Sequence, residues 1–127
     1  DRLSRGLGDV YKRQEGTLSC ELPKTLVKKN DIHITSKRNF DCFQDTELDM
    51  LLKRTLNVKN IIICGVNTDT CVYGTTFGAS NRGYNPIVIE CCTGSMRGED
   101  QHKTALKIMS QSIAWVMKKE EILNKLN

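Results

Sequence analysis

The sequence predicts an α/β fold in which a parallel sheet carries helices on both of its faces. Short apolar or β-branched runs at 31–36, 61–64, 87–89 and 113–117 alternate with segments of helical periodicity. The run from Ile61 to Cys64 has no polar alternation, which is typical of a parallel strand covered on both sides. Strands that alternate with helices in this way favour a parallel sheet over an antiparallel one.

Length and charge limit the classes of protein to which the chain can belong. A chain of 127 residues is long enough for one hydrophobic core. Its formal net charge is +4, and the basic residues are interleaved with acidic ones, so no nucleic-acid surface is predicted. No apolar stretch approaches the length that spans a bilayer, and no membrane partner is expected.

The six cysteines are predicted to be reduced thiols of a cytoplasmic protein. Cys64, Cys91 and Cys92 lie in or directly after apolar runs, and the chain has no signal-peptide pattern. A zinc site is disfavoured because no CxxC pair exists and His33 and His102 are far apart in sequence. No metal site and no role for either histidine are therefore assigned.

The first residues differ from the rest of the chain. Residues 1–14 mix Arg, Gly and Asp without any sustained period and resemble translated adapter or vector sequence, the alternative being a native disordered tail. The domain is accordingly assigned to residues 15–127. Within it, residues 15–30 are predicted to be loop, and the alternating residues 31–36 a short strand.

The remaining elements follow from periodicity and from helix-capping residues. Thr46 with Asp49 three residues later forms a capping-box pattern before a helix from about Glu47 to Leu56. A second helix starts near Cys71 and ends at 81–83, where Gly83 is a suitable C-cap residue. The later elements are predicted to be a strand at 87–89, a helix at 99–112, a strand at 113–117 and a helix at 119–126.

The stretch between the strand at 61–64 and the second helix carries the candidate nucleophile. Gly65 and the polar residues after it suit a sharp strand-to-helix turn, with Thr68 as N-cap, Asp69 at the first helical position and Cys71 at the third. Free N–H groups and the positive end of the helix dipole stabilise an anion there. Cys71 is therefore the residue expected to act as a thiolate nucleophile.

The chain resembles the isochorismatase-like cysteine hydrolases, a superfamily that includes nicotinamidases and ureidoacrylate and biuret hydrolases. The resemblance covers the chain from about Leu22 onward and rests on TSKRNFDCFQDTELD, GVNTDTCV and RGYNPIVIE, together with Thr75 and Ala79. It implies a Rossmann-like sheet of six strands. The first strands of that sheet have no counterpart here, so the chain corresponds to the C-terminal portion of the domain.

The same resemblance implies how the site works. Cys71 would attack a carbonyl carbon and form a thioester, with Lys37 beside the thiol. The backbone N–H groups of Asn67 and Cys71 would form the oxyanion hole, and the Val66–Asn67 peptide would be cis. The general base of the family is an aspartate on the first strand. No residue here matches it, since Asp1 and Asp9 belong to residues 1–14, outside the predicted domain.

The implied activity is cysteine-dependent hydrolysis of a small-molecule amide or ureide, with biuret and ureidoacrylate hydrolases the nearest relatives in the GYNPIVIECCTG stretch. No cofactor is expected, although some relatives bind a metal, and a homo-oligomer is expected. Phe43 and Tyr73 either line the pocket or pack in the core. The alternative from another class is a noncatalytic α/β binding or oligomerisation module, which the absent base favours.

Overall fold

The computed structural model describes Leu18 and residues 21–127. The chain divides between His33 and Ile34 into two units, and the second unit, Ile34–Asn127, contains all of the helices and strands given below. In the first unit, the described residues 21–33 form turns, such as the one in which the Leu26 N–H donates to the Pro23 carbonyl at 2.9 Å. The predicted segment 1–14 lies outside the described residues.

The second unit alternates helices and strands. Helix α1, Leu48–Met50, continues directly into a π-helical turn at Leu51–Thr55. Strand β1 is Asn60–Val66, and a second π-helical turn, Thr68–Val72, leads into helix α2, Tyr73–Asn81. The chain then forms β2 (Asn85–Gly94), α3 (Glu99–Ser112), β3 (Trp115–Met117) and α4 (Lys119–Leu126).

The three strands form one parallel sheet in the order β1-β2-β3, as the sequence predicts. Helices lie on both faces of the sheet. Successive strand residues point to opposite faces, so neighbouring residues of one strand pack against different helices. Val88 packs with residues of α2 and α3 in the main core, whereas the neighbouring Ile89 packs with Met117 and Ile122 of α4. The α/β class with helices on both faces is confirmed.

The ladder between β1 and β2 is interrupted near its carboxyl end. Ile63 pairs with Val88, but the next pair is Gly65 with Thr93. While β1 advances by two residues, β2 advances by five, so β2 carries three extra residues in a bulge opposite Cys64. The sheet is therefore regular at its amino end and irregular where β1 leads into the turn that bears Cys71.

Most of the predicted elements are confirmed, including α3 and α4 with the predicted bounds. The predicted strand at 31–36 is wrong, since these residues are neither helix nor strand. Alternating β-branched residues form a strand only where a neighbouring strand accepts their backbone hydrogen bonds. Here the Thr35 carbonyl instead accepts a hydrogen bond from the Arg38 guanidinium at 2.8 Å.

The predicted capping box before α1 is absent, because the N-cap residue is Glu47 and no side-chain hydrogen bond caps it. Thr46 lies one residue earlier, and its Oγ1 accepts the Leu48 N–H at 3.3 Å. Asp49 does not complete the box, because its carboxylate accepts the Tyr84 hydroxyl at 2.8 Å. That tertiary hydrogen bond ties α1 to the residue before β2 and replaces the local one that the sequence pattern predicts.

Candidate active site

Cys71 lies in the turn that follows β1. The Val66–Asn67 peptide is cis, at the position that the resemblance implies. The Asn67 carbonyl then accepts the N–H groups of Thr70 and Val72, each at 3.1 Å, and the second of these bonds spans five residues. This bond makes the turn π-helical, a conformation found frequently at functional sites. Cys71 therefore follows the carboxyl end of a parallel strand, where open α/β sheets bind their ligands.

The helical turn starts one residue earlier than predicted. Asn67, in extended conformation, is the residue before the turn, and no side-chain hydrogen bond caps it. The prediction of Thr68 as N-cap is wrong, because its hydroxyl bonds a distant side chain instead. Cys71 is consequently the fourth residue of the turn and not the third.

Lys37 and Cys71 are 34 residues apart in the sequence, and the fold brings their side chains together. The distance from Lys37 Nζ to Cys71 Sγ is 4.0 Å, and both side chains are half-buried. An ammonium group at this distance stabilises a thiolate more than a thiol. This is the pairing of residues that the resemblance implies.

A loop after β2 is bonded to the π-helical turn Thr68–Val72. The Asp69 carboxylate accepts the Ser95 hydroxyl at 2.7 Å and the Arg97 guanidinium at 2.7 Å, and Arg97 also donates to Thr70 Oγ1 at 3.2 Å. Although burial is the largest single influence and acts to raise the pKa of Asp69, these hydrogen bonds together hold it below its usual value. Asp69 thus joins two segments as a carboxylate.

Asn67 adds a further link between the same two segments. Its side-chain Oδ1 accepts the Met96 N–H at 3.1 Å. Sequence reasoning places Asp69 at the first helical position and does not predict these contacts. The available signal was the position of Ser95 and Arg97, since residues that follow neighbouring parallel strands meet at the same edge of the sheet.

His102 is buried, with 7% of its surface exposed, and Thr68 is fully buried. The two residues share a hydrogen bond of 2.7 Å between Thr68 Oγ1 and His102 Nδ1. This bond joins α3 to the first residue of the turn Thr68–Val72. No role for His102 is predicted from the sequence, because a histidine on a helix of mixed polarity usually lies at the surface.

The two aromatic residues proposed for the pocket have different surroundings. Phe43 is buried in the main core, where its ring stacks on Tyr84 at a centroid distance of 5.5 Å and the Arg82 guanidinium lies 5.0 Å from it. Tyr73 is half-buried, and its ring lies 4.8 Å from that of Phe77. Phe43 therefore packs in the core, and a pocket role for Phe43 or Tyr73 stays a prediction.

A cavity of about 860 Å³ lies at the opposite end of the sheet. Its lining includes Asn60, Asn85 and Trp115, which are the first residues of the three strands, and Ile122 of α4. Cys71 follows the last residue of β1, so this cavity is not part of the candidate active site. Within Leu18 and 21–127, no three His, Cys, Asp or Glu side chains are arranged to hold a metal ion.

The fold and the turn together define a parallel α/β domain with a thiol at the carboxyl end of a strand. Comparison with known proteins shows the family to which this domain belongs. The family model described as the isochorismatase domain matches residues 7–121, so the chain belongs to the isochorismatase family. The match begins inside the segment 1–14, and the boundary predicted at residue 15 stays a prediction.

Three relatives illustrate the similarity. An uncharacterized isochorismatase family protein of Escherichia coli O157:H7 is 33% identical over 76% of this chain and 50% of its own length. An isochorismatase-like hydrolase from Alkaliphilus metalliredigens superposes with a TM-score of 0.80 at 27% identity, over 88% of this chain and 61% of that one. The nicotinamidase of Staphylococcus aureus gives a TM-score of 0.60 at 35% identity, over 64% and 51%.

The chain spans about half the length of the curated relatives it matches. Among the described residues, no helix is both long and apolar enough to cross a membrane.

Proposed function

We propose that this chain belongs to a cysteine-dependent hydrolase that cleaves an amide or ureido C–N bond of a small molecule. The observation that carries the proposal is the 4.0 Å approach of Lys37 Nζ to Cys71 Sγ at the carboxyl end of β1. Family membership supports it, as do solved relatives named as nicotinamidases.

In the proposed mechanism, the Cys71 thiolate attacks the carbonyl carbon and the Lys37 ammonium offsets its charge. The tetrahedral intermediate places a negative charge on the former carbonyl oxygen. The backbone N–H groups of Asn67 and Cys71 are proposed to donate to this oxygen, and such a donor typically lowers the barrier by about 2.7–4 kcal/mol. Collapse of the intermediate expels the amine and leaves a thioester, which water hydrolyses.

The turn supports the proposed oxyanion hole through its hydrogen bonding. Among the described residues, the donors to the Asn67 carbonyl are the N–H groups of Thr70 and Val72, and the N–H of Cys71 between them is not one. Asp69 and Asn67 are in turn held by the loop at 95–97. The backbone around the thiol is thus fixed from two sides, which is what a preorganised site requires.

Replacement of Cys71 by alanine tests the proposal. We expect the variant to lose hydrolysis of small amides and ureides, measured as release of ammonia from a substrate panel, because no other group takes the place of the thiolate. Cys42→Ala is the matched control, since Cys42 is also a half-buried free thiol. Equal turnover by Cys71→Ala and the wild-type chain would refute the assignment.

The second candidate is a noncatalytic binding or oligomerisation module. One observation favours it: within the described part of the chain, Lys37 is the side chain in hydrogen-bonding range of Cys71 Sγ, and no carboxylate takes the position of a general base. Alkylation with iodoacetamide separates the two candidates. A Cys71 that reacts much faster than Cys42 at neutral pH supports the hydrolase, and equal rates support the module.

A further inference from the structure

The sulfur atoms of Cys91 and Cys92 lie 3.9 Å apart. In a regular strand, adjacent side chains point to opposite faces, which keeps their ends well separated. Both cysteines belong to the bulge of β2 opposite Cys64, where the ladder skips from Val88 to Thr93. The bulge therefore turns two adjacent thiols toward each other, and both of them are exposed.

A direct disulfide does not suit this pair. Adjacent Cα atoms are about 3.8 Å apart across a trans peptide, whereas disulfides usually join Cα atoms about 4.4–6.8 Å apart. Two sulfurs that bond one common atom at about 2.3 Å, with tetrahedral or pyramidal angles, stand about 3.5–3.8 Å apart. The observed separation of 3.9 Å is close to this second arrangement.

We propose that Cys91 and Cys92 form a dithiol site for a soft, thiophilic ligand that needs two sulfur donors, of the class of the monosubstituted trivalent arsenicals. Thiolates prefer soft partners. A ligand with its own carbon substituent fits better than a bare metal ion, because no group of three metal-ligating side chains is present among Leu18 and 21–127. This site is independent of the chemistry proposed for Cys71.

The binding reaction is an exchange without oxidation. An organoarsenic oxide loses its oxygen, and arsenic forms one bond to each of the two sulfurs. The two thiol protons leave with the oxygen as one molecule of water. Arsenic stays trivalent, so neither an oxidant nor a reductant is required.

Cys64 lies opposite the bulge and is also exposed, but the two sulfurs that lie 3.9 Å apart are those of Cys91 and Cys92. Partial desolvation of its sulfur, followed by the proximity of Cys92 and Cys91, raises the pKa of the Cys64 thiol above its usual value. A thiol that retains its proton is the poorer ligand. Cys64→Ser is therefore the matched control for the pair.

The experiment uses the full chain carrying Cys20→Ser, Cys42→Ser and Cys71→Ser, treated with one equivalent of phenylarsine oxide. Intact mass should show one phenylarsenic group that survives excess mercaptoethanol and is removed by ethanedithiol. Cys91→Ser and Cys92→Ser should each abolish this resistant adduct, and Cys64→Ser should retain it. Cys91→Ala and Cys92→Ala repeat the test if a serine variant fails to fold.

A second comparison asks whether the fold preorganises the pair. The native chain should retain the arsenical against a competing dithiol at least about tenfold better than the same chain in guanidinium, because its thiols are already positioned. Equal retention in the two conditions would overturn the proposal. So would loss of the adduct in Cys64→Ser, or its persistence in both Cys91 and Cys92 variants.

Discussion

The Lys37 ammonium is the charged group that lies beside the Cys71 thiol. Two unit charges 4 Å apart attract by about 1 kcal/mol even when water screens them fully. Lys37 Nζ lies 4.0 Å from Cys71 Sγ, and both side chains are half-buried. The effect is local and can be removed with a single substitution.

Lys37→Met should slow the alkylation of Cys71 by iodoacetamide at neutral pH, because the ammonium group that lies 4.0 Å from the sulfur is removed. The rate is measured by mass spectrometry of the peptide that contains Cys71. Lys107→Met is the control, because Lys107 is an exposed lysine of α3. Identical rates in the two variants would show that Lys37 does not act on the thiol.

Tyr84 is the residue at which pH should affect stability. Burial, followed by the hydrogen bond to Asp49, raises the pKa of Tyr84 to about 12 from a usual value of 10.0. A folded-state pKa above the unfolded one means that the stabilisation is complete below pH 10 and is lost as the pH rises toward 12. The hydroxyl thus favours folding only while it is protonated.

Tyr84→Phe should lower the free energy of unfolding at neutral pH by about 1–2 kcal/mol, because the bond to the carboxylate is lost. The difference between the wild type and the variant should shrink between pH 10 and 12, the range given by the Tyr84 pKa. Urea titrations followed by circular dichroism measure it, with Tyr73→Phe as control. A difference that stays constant over this range would contradict the assignment.

At the scale of elements, the turn Thr68–Val72 is held by two neighbours: the loop at 95–97 and helix α3. The bond from Thr68 Oγ1 to His102 Nδ1 is buried, so both partners have lost water as an alternative. When one partner is removed, the other is left unpaired in the core, which costs about 1–3 kcal/mol. The turn and α3 should therefore be coupled energetically.

A double-mutant cycle measures this coupling. Thr68→Val and His102→Leu should each destabilise the chain by about 1–3 kcal/mol, and the double variant by less than the sum of the two. Chemical denaturation supplies the four free energies. Glu99 and Lys103, an exposed ion pair on the same helix, are the control, and their coupling should stay below about 0.5 kcal/mol. Strict additivity for Thr68 and His102 would mean that the bond does not connect the two elements.

The elements themselves were largely predictable from the sequence, and their contacts were not. Periodicity predicts α3 and α4 with their exact bounds, because each presents one apolar face. The roles of Thr68 and Asp49 were mispredicted since capping patterns describe local hydrogen bonds, whereas here each side chain bonds a residue more than thirty positions away. The ion pair between Asp69 and Arg97 was not predictable either, because it forms only when β1 and β2 are neighbours in the sheet.

At the scale of the whole molecule, one apolar stripe crosses the sheet. Ile62, Ile87 and Trp115 are paired in register on adjacent strands. The middle residue packs beside α4, but Ile62 is 44% exposed and Trp115 is 67% exposed. Among the described strands, β1 pairs only with β2, so its other edge also presents unpaired backbone groups. Exposed apolar stripes and edges of this kind favour association.

The chain should therefore self-associate in a concentration-dependent manner, as sedimentation velocity would show. Ile62→Lys and Trp115→Lys should each shift the distribution toward monomer, because a charge on the stripe must be desolvated on contact. Met96→Lys is the control, since Met96 is a single exposed apolar residue in a loop. A wild-type chain that stays monomeric at all concentrations would contradict this expectation.

The interrupted ladder between β1 and β2 has a mechanical consequence for the site. The four pairs from Asn60 to Ile63 form one continuous ladder, and the pairs of Gly65 and Val66 form another beyond the bulge. The second ladder is short and adjoins the turn that carries Cys71. Its hydrogen bonds can break and re-form while those of the first ladder stay intact. Local unfolding of the residues around the thiol therefore costs less free energy than global unfolding.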